Sequence, residues 1–319
     1  MELVKTIEVR RYSSPRYWPA WIAIGLLRTV ALLPLPVIVA LGGFFGQILY
    51  YVASKRRQVS QINLRIAFPN LGEAAIRKLN RASFRNLVIG VFEMGLAWWE
   101  PKRLLAVCEV DGLEHLKNAQ KAGKGVIVLT AHFTSLEAGG PKLNQYVPLQ
   151  VMYKRLKNDL LDEYMRRGRA AYTSAQASHH KPLALLKGLK RGHAMWYAPD
   201  QDFGRKGTVF VPFFGVGATA LTAPARIARI SGAPLVPYYI QRKPYGRGYR
   251  LTFLPQLEDF PSGDAKDDAL TINRVIESLI LRNPQQYLWL HKRYKHRADG
   301  RQGMYPSHLL ADPPDPSPK

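Results

Sequence analysis

Residues 124–143 read KGVIVLTAHFTSLEAGGPKL. Val126, Ile127, Val128 and Leu129 form an apolar, mostly β-branched run that suits a buried strand. The run ends abruptly at His132, and Glu137 follows five positions later, just before a glycine pair. On a continuous helix five residues turn the chain through about 500°, which would point the two side chains well apart. The spacing is better served if His132 ends a strand, residues 133–135 turn, and Glu137 lies in the first turn of a helix. A carboxylate there is favoured by the helix dipole and can reach back to one imidazole nitrogen, leaving the other free as a base. Amides at the helix N-terminus would then be placed to bind a developing oxyanion. A capping glutamate beside an unrelated histidine fits the same spacing.

Outward from this stretch, strand and helix patterns alternate over some 250 residues. Residues 70–101 read as a long amphipathic helix stopped by Pro101. A strand-like VCEVDG and a helix near 114–121 precede the strand into His132. Beyond Glu137, strands are expected in PLQVMYK (148–154), AMWYAPDQD, GTVFVPFFG, APLVPYYIQR and YRLTFLPQLED. Helices are expected in NDLLDEYMRRGRAA (158–171), PLALLKGLKRG, APARIARISG and DDALTINRVIESLILRN. Such alternation implies an α/β fold with a mixed, largely parallel sheet flanked by helices. Three regions follow: an N-terminal membrane-anchoring helical segment over 1–54, a catalytic domain over 55–310, and a Pro-rich disordered tail over 311–319.

Residues 29–53, TVALLPLPVIVALGGFFGQILYYVA, carry no charge over 25 positions. A membrane-spanning helix needs about 20 apolar residues, and membrane helices tolerate interruption by proline and glycine. Tyr50, Tyr51 and the basic Lys55-Arg56-Arg57 resemble an interfacial belt with an anchor behind it. A hydrophobic hairpin inside a soluble core is the alternative, since Arg28, Pro34 and Pro36 break the run. The segment is too long and too aromatic for a secretory signal.

The net charge is +23, with a pI near 10.2, so the partners should be anionic. Nucleic acid is one class, but zinc-finger, basic-zipper and RNP signatures are absent and the apolar run has no use there. An anionic membrane face, an acidic carrier protein and an acidic ligand are the others. Cys108 is the single cysteine, which rules out an internal disulfide.

The blocks NLRIAFPN, AHFTSLEAGG, YAPDQDFGRKGTVFVPFFG, SGAPLVPYY and PQQYLWLHKRYKHR stand in a telling order. Together, from about residue 18 to about residue 298, they resemble the late acyltransferases of lipid A biosynthesis, the lauroyl/myristoyl transferase family. That family belongs to a wider glycerolipid acyltransferase-like group with a His-x4-Asp/Glu signature. Lys154, Asp159, the GVGATALT stretch, Gln285 and Ala298 depart from its usual pattern. The resemblance implies transfer of a fatty acyl group from acyl carrier protein to a hydroxyl of a lipid A precursor, without a cofactor. It implies His132 as general base and Glu137 as the group that orients it.

Arg169 and Asp200 match polar positions that look functional in the family. A solvated helix face is the other reading for Arg169. Metal ligation or loop capping is the other reading for Asp200 and Asp202, although no companion His or Glu cluster supports a metal. HKRYKHR (291–297) is expected to cradle anionic groups of the acceptor through Lys292, Arg293 and Lys295, or else to be a solvated basic turn. VFVPFFG suits either core or the wall of an acyl slot. Sister enzymes acting on another glycolipid or phospholipid would share the catalytic pair. The implied location is the inner membrane, with the catalytic domain facing the cytoplasm, where acyl carrier protein is found.

Overall fold

A computed structural model describes residues 9–178, 182–300 and 303–310. The 311–319 tail, and His179 and His180, lie outside the described residues. In chain order the main elements begin with four helices: α1 (Trp18–Ala31), α2 (Leu35–Val52), α3 (Ser54–Ala67) and α4 (Glu73–Trp99). There follow β1 (Cys108–Asp111), α5 (Leu113–Gln120), β2 (Val126–Leu129), α6 (Leu136–Asn144), β3 (Leu149–Tyr153), α7 (Asp159–Ala170) and β4 (Ala175–Ser178). The rest comprises β5 (Ala194–Tyr197), β6 (Thr208–Phe213), β7 (Val216–Leu221), α8 (Ala223–Ser231), β8 (Leu235–Arg242), β9 (Tyr249–Phe253) and α9 (Ala265–Arg282).

Seven strands form one sheet in the order β1-β9-β8-β2-β5-β3-β4. Every pairing in it is parallel except β8 with β9. β2 is central, and its four side chains are fully buried because helices cover both faces of the sheet. The expected fold class therefore holds. β4, with the sequence AQAS, has no β-branched or aromatic residue and carries no strand signal. β6 and β7 form a separate antiparallel hairpin turned at Phe214-Gly215, both at positive φ. Asn273 of α9 ties that hairpin down by donating to the Pro212 carbonyl.

The apolar run 29–53 is two helices rather than one. The chain turns at residues 32–34, and Pro34 caps α2 in extended conformation, since a proline cannot continue the preceding helix. α2 is the one helix among the described residues long and apolar enough to cross a membrane, with a mean hydropathy of 1.8. Its 18 residues reach only about 27 Å, against a hydrocarbon core of about 30 Å. It lies directly on α4: a Cβ at Gly46 would sit 2.5 Å from the Arg85 Cα, and one at Gly42 2.8 Å from the Ile89 Cα. The outward face of α2 exposes Val37, Phe44, Ile48 and Tyr51, and α1 exposes Trp18, Ile22 and Leu26.

A buried polar cluster locks α4 to the sheet. Arg242 of β8 donates to both carboxylate oxygens of Glu93, the Tyr249 hydroxyl donates to the same carboxylate, and Asn86 accepts from Arg242. Burying such charges is tolerable only when each is paired and hydrogen-bonded, as here.

Candidate active site

His132 stands three residues past the end of β2, at the carboxyl edge of the sheet, where open α/β sheets form their sites. Its backbone is pinned from two sides. The His132 N–H donates to Asp200 Oδ2 at 3.1 Å, and its carbonyl accepts from Leu288 N at 3.0 Å. Thr134 N donates to the Gln286 carbonyl at 2.8 Å, so the turn after β2 is laced to residues 286–288. Helix α4 presses on the same turn, where Gly90 faces the Thr134 carbonyl so closely that a Cβ would lie 2.0 Å from it.

The carboxylate that meets the imidazole belongs to Asp200, with Nδ1 and Oδ1 2.7 Å apart. This corrects the expected Glu137–His132 contact. Asp200 follows β5, the strand beside β2, so the two strand ends deliver histidine and carboxylate side by side. Glu137 lies in the first turn of α6 as expected but turns to the helix layer. Its Oε1 accepts from Arg169 Nε at 2.8 Å and from Arg169 Nη2, and its Oε2 accepts from the Tyr172 hydroxyl. The glycine pair that follows permits this seat. A Cβ at Gly139 would lie 2.2 Å from the Tyr238 hydroxyl oxygen, and one at Gly140 2.4 Å from the Tyr172 ring.

The electrostatics follow the geometry. Burial disfavours the charged form of His132, but the Asp200 charge and hydrogen bond outweigh it and raise the imidazole above its ordinary range. Asp200 is 1% exposed; burial pushes its carboxyl up, yet His132 and the backbone amides pull it down to about 2. Burial likewise raises Glu137, but the Arg169 charge and its hydrogen bonds win and lower it. Burial, and next the Asp200 charge, hold the Tyr287 phenol well above its usual value. The His132 side chain remains 32% exposed, so substrate can approach it. With Nδ1 held by Asp200, Nε2 is the nitrogen that faces it.

The basic block 291–297 differs from expectation. Lys292 and Arg293 are buried rather than presented to solvent. Arg293 donates to the Thr219 carbonyl at 2.6 Å and lies over the Phe213 ring, 4.7 Å from its centroid. The cause is the next residue. Tyr294 is buried and donates to the Phe213 carbonyl, which draws the segment across the β6–β7 hairpin. Lys295 is only partly exposed, so these three residues do not form an open cradle. His291 is partly buried, and desolvation lowers it to about 4. Phe213 of the expected acyl wall belongs to the main core, whereas Val211 packs in a small cluster against α9.

Two participants escaped the sequence reading. Tyr172, just past α7, completes the Glu137 cluster, and His296 pairs with Asp202. Only the alternate spacing of the two aspartates in Pro-Asp-Gln-Asp hinted at the second pair. No group of three or more potential metal-ligating side chains occurs among the described residues. A groove of about 980 Å³ lined by residues such as Ala119, Ala228 and Phe260 opens at the opposite end of the sheet and holds none of these groups.

A histidine held through Nδ1 by a buried aspartate keeps its other ring nitrogen available for acid–base chemistry. The sequence model of the bacterial lipid A biosynthesis acyltransferases matches residues 6–296, and the chain belongs to that family. It is 36% identical over 293 residues to the lipid A biosynthesis lauroyltransferase of Escherichia coli (strain K12), covering 91% of this chain and 96% of the relative. It is also 36% identical to the palmitoleoyltransferase of the same organism, covering 93% and 97%. The myristoyltransferase of that strain is 26% identical over 314 residues. The protein is thus an acyltransferase of lipid A biosynthesis.

Proposed function

We propose that the enzyme moves a fatty acyl chain from an acyl carrier protein thioester to a hydroxyl of a lipid A precursor, with His132 as general base. The observation that carries this reading is the 2.7 Å contact between His132 Nδ1 and the buried Asp200. An alcohol is too weak an acid to attack a thioester unaided, so its proton must leave as the new bond forms. His132 Nε2 takes that proton while the hydroxyl oxygen adds to the thioester carbonyl. The tetrahedral intermediate collapses, the carbon–sulfur bond breaks, and the imidazolium returns the proton to the departing sulfur. Asp200 fixes the tautomer and balances the imidazolium, as the carboxylate of a triad does. No protein nucleophile is required, and Cys108 is unsuited to be one, since burial pushes its thiol up to about 12.

Glu137 enters this scheme through Arg169. Its carboxylate holds the guanidinium, whose charge is felt at His132. A fixed cation beside the reacting carbonyl would favour the oxyanion of the intermediate. Arg169 thereby keeps a substrate-facing role, and Glu137 is its positioning residue.

The enzyme works at an anionic inner-membrane leaflet with its catalytic domain on the cytoplasmic side, where its donor is found; the exposed faces of α1 and α2 support the attachment. Their apolar side chains are accompanied by Arg16, stacked on Tyr17, and by Arg57 and Arg81, stacked on Tyr50.

The test is acyl transfer by the purified full-length protein from acyl carrier protein thioesters to a lipid A precursor, compared with folded His132→Ala. The variant should lose on the order of 10²- to 10⁴-fold in kcat. Activity within a few-fold of wild type would remove His132 from the chemistry. Mass spectrometry of lipid A from cells with and without the protein should show a difference of one acyl chain.

A further inference from the structure

The segment that holds His132 holds a second histidine in the same way. Asp202 is 2% exposed, and His296 Nδ1 lies 2.8 Å from its Oδ1. The His296 backbone N–H donates to Asp202 Oδ2 at 3.2 Å. The first pair repeats each feature: ring nitrogen and backbone amide on one carboxylate, a buried aspartate, and a ring about one-third exposed. A single residue, Gln201, separates the aspartates, so their Cα atoms are at most about 7 Å apart. The charges of Asp200, Asp202 and His132 all reach His291, so the two pairs lie in one neighbourhood.

His296 also differs from its neighbours in the basic block. Lys292, Arg293 and Tyr294 are buried, His291 is partly buried, and Arg297 is a surface arginine paired with Asp299. His296 is the surface imidazole of the block anchored by a buried carboxylate, and a group fixed in that way loses little freedom on binding. The corner is strongly cationic. Lys292, Arg293, Lys295, Arg297 and Arg205, whose guanidinium donates to the Arg297 carbonyl, outnumber Asp200, Asp202 and Asp299 in these two segments. With Nδ1 committed to Asp202, Nε2 is the ring nitrogen left for a ligand, and a proton on it would meet an anionic oxygen.

We propose that the His296–Asp202 pair is a subsite for a phosphate group of the acceptor, adjacent to the His132–Asp200 centre. This rests on the acceptor class proposed above. His296 touches the phosphate, and Asp202 is its positioning residue. The pair takes no part in the proton transfer.

The experiment compares a lipid A precursor with its dephosphorylated form as acceptors for wild type, His296→Ala, His296→Gln and Asp202→Asn. For the phosphorylated acceptor, KM should rise about tenfold or more in His296→Ala, with kcat nearly kept. For the dephosphorylated acceptor, the variants should match wild type. Equal KM changes for both acceptors, or a fall in kcat at constant KM, would overturn the subsite. So would a wild type that does not distinguish the two acceptors. A second measurement needs no turnover: the His296 ring signal of full-length protein in detergent, titrated with inorganic pyrophosphate. It should shift saturably in wild type and less in Asp202→Asn. An unmoved His296 signal overturns the proposal even if acyl transfer is confirmed. A saturable shift without acyl transfer would leave the anion subsite standing and sink the assigned reaction instead.

Discussion

Asp200 Oδ1 lies 2.7 Å from His132 Nδ1, while the carboxylate of Glu137, five residues from His132, is turned to Arg169 and Tyr172. The two carboxylates thus divide one task between them: one holds the imidazole, the other holds a guanidinium. Removing each should have a different signature.

Asp200→Asn leaves a neutral amide against Nδ1 and removes both the tautomer preference and the balancing charge. We expect kcat to fall on the order of 10²- to 10⁴-fold, with KM changed little. Steady-state kinetics on the folded variant decides this. A loss below about tenfold would show that His132 works without its aspartate.

The acid limb of the rate profile should lie above 6.5, the ordinary histidine value, because Asp200 raises His132 and only the neutral ring is a base. Asp200 itself titrates near 2 and adds nothing at working pH. In Asp200→Asn the limb should move to lower pH. The sign for stability is opposite in direction: a raised histidine stabilises the fold below its unfolded value and loses that contribution as pH rises through the folded one. The stability gap between wild type and Asp200→Asn should therefore narrow as pH rises across the histidine range. Denaturant unfolding at several pH values measures it, and a gap independent of pH would contradict the raised value.

Glu137→Ala leaves a largely covered guanidinium without its carboxylate, since the Arg169 side chain is 20% exposed and the Glu137 side chain 12%. The expected cost is about 3–5 kcal/mol of stability, because an unpaired buried charge is worse than an absent pair. The double variant Glu137→Ala/Arg169→Met should recover part of it. Chemical denaturation of the three proteins provides the test, and additive losses would mean the two groups are not coupled.

Gly90→Ala places a methyl 2.0 Å from the Thr134 carbonyl, two residues from His132. Overpacking of this kind costs about 1–3 kcal/mol. Activity should fall further than stability explains, since the displaced turn carries the base. A variant that keeps full kcat would show that the turn can yield without moving the imidazole.

The outward faces of α1 and α2 should bind anionic vesicles in preference to neutral ones. Phe44→Ser and Ile48→Ser together should weaken sedimentation with either, because both side chains are exposed. Unchanged co-sedimentation would send the search for the membrane face elsewhere.

Much of this was legible in the residues. Val126 to Leu129 suited a strand buried on both faces, and its abrupt end at His132 pointed to the carboxyl edge of the sheet as the site. Alternating strand and helix patterns carried the α/β class, and the ordered blocks carried the family. Local periodicity suffices for these because it records which faces are buried. What the chain order concealed were pairings across the sheet. Asp200 reaches His132 because β5 lies beside β2, and the sequential neighbour Glu137 is drawn off by Arg169 of α7, 32 residues away. Lys292 and Arg293, expected to cradle anionic groups, are instead drawn inside beside the Tyr294 anchor. Charge and hydropathy report a residue's own preference for water, but strand order decides its partners. The sequence by itself determined the strand that ends in a base. Only the tertiary structure decided which acid holds that base, since that depends on which strand ends fold up side by side.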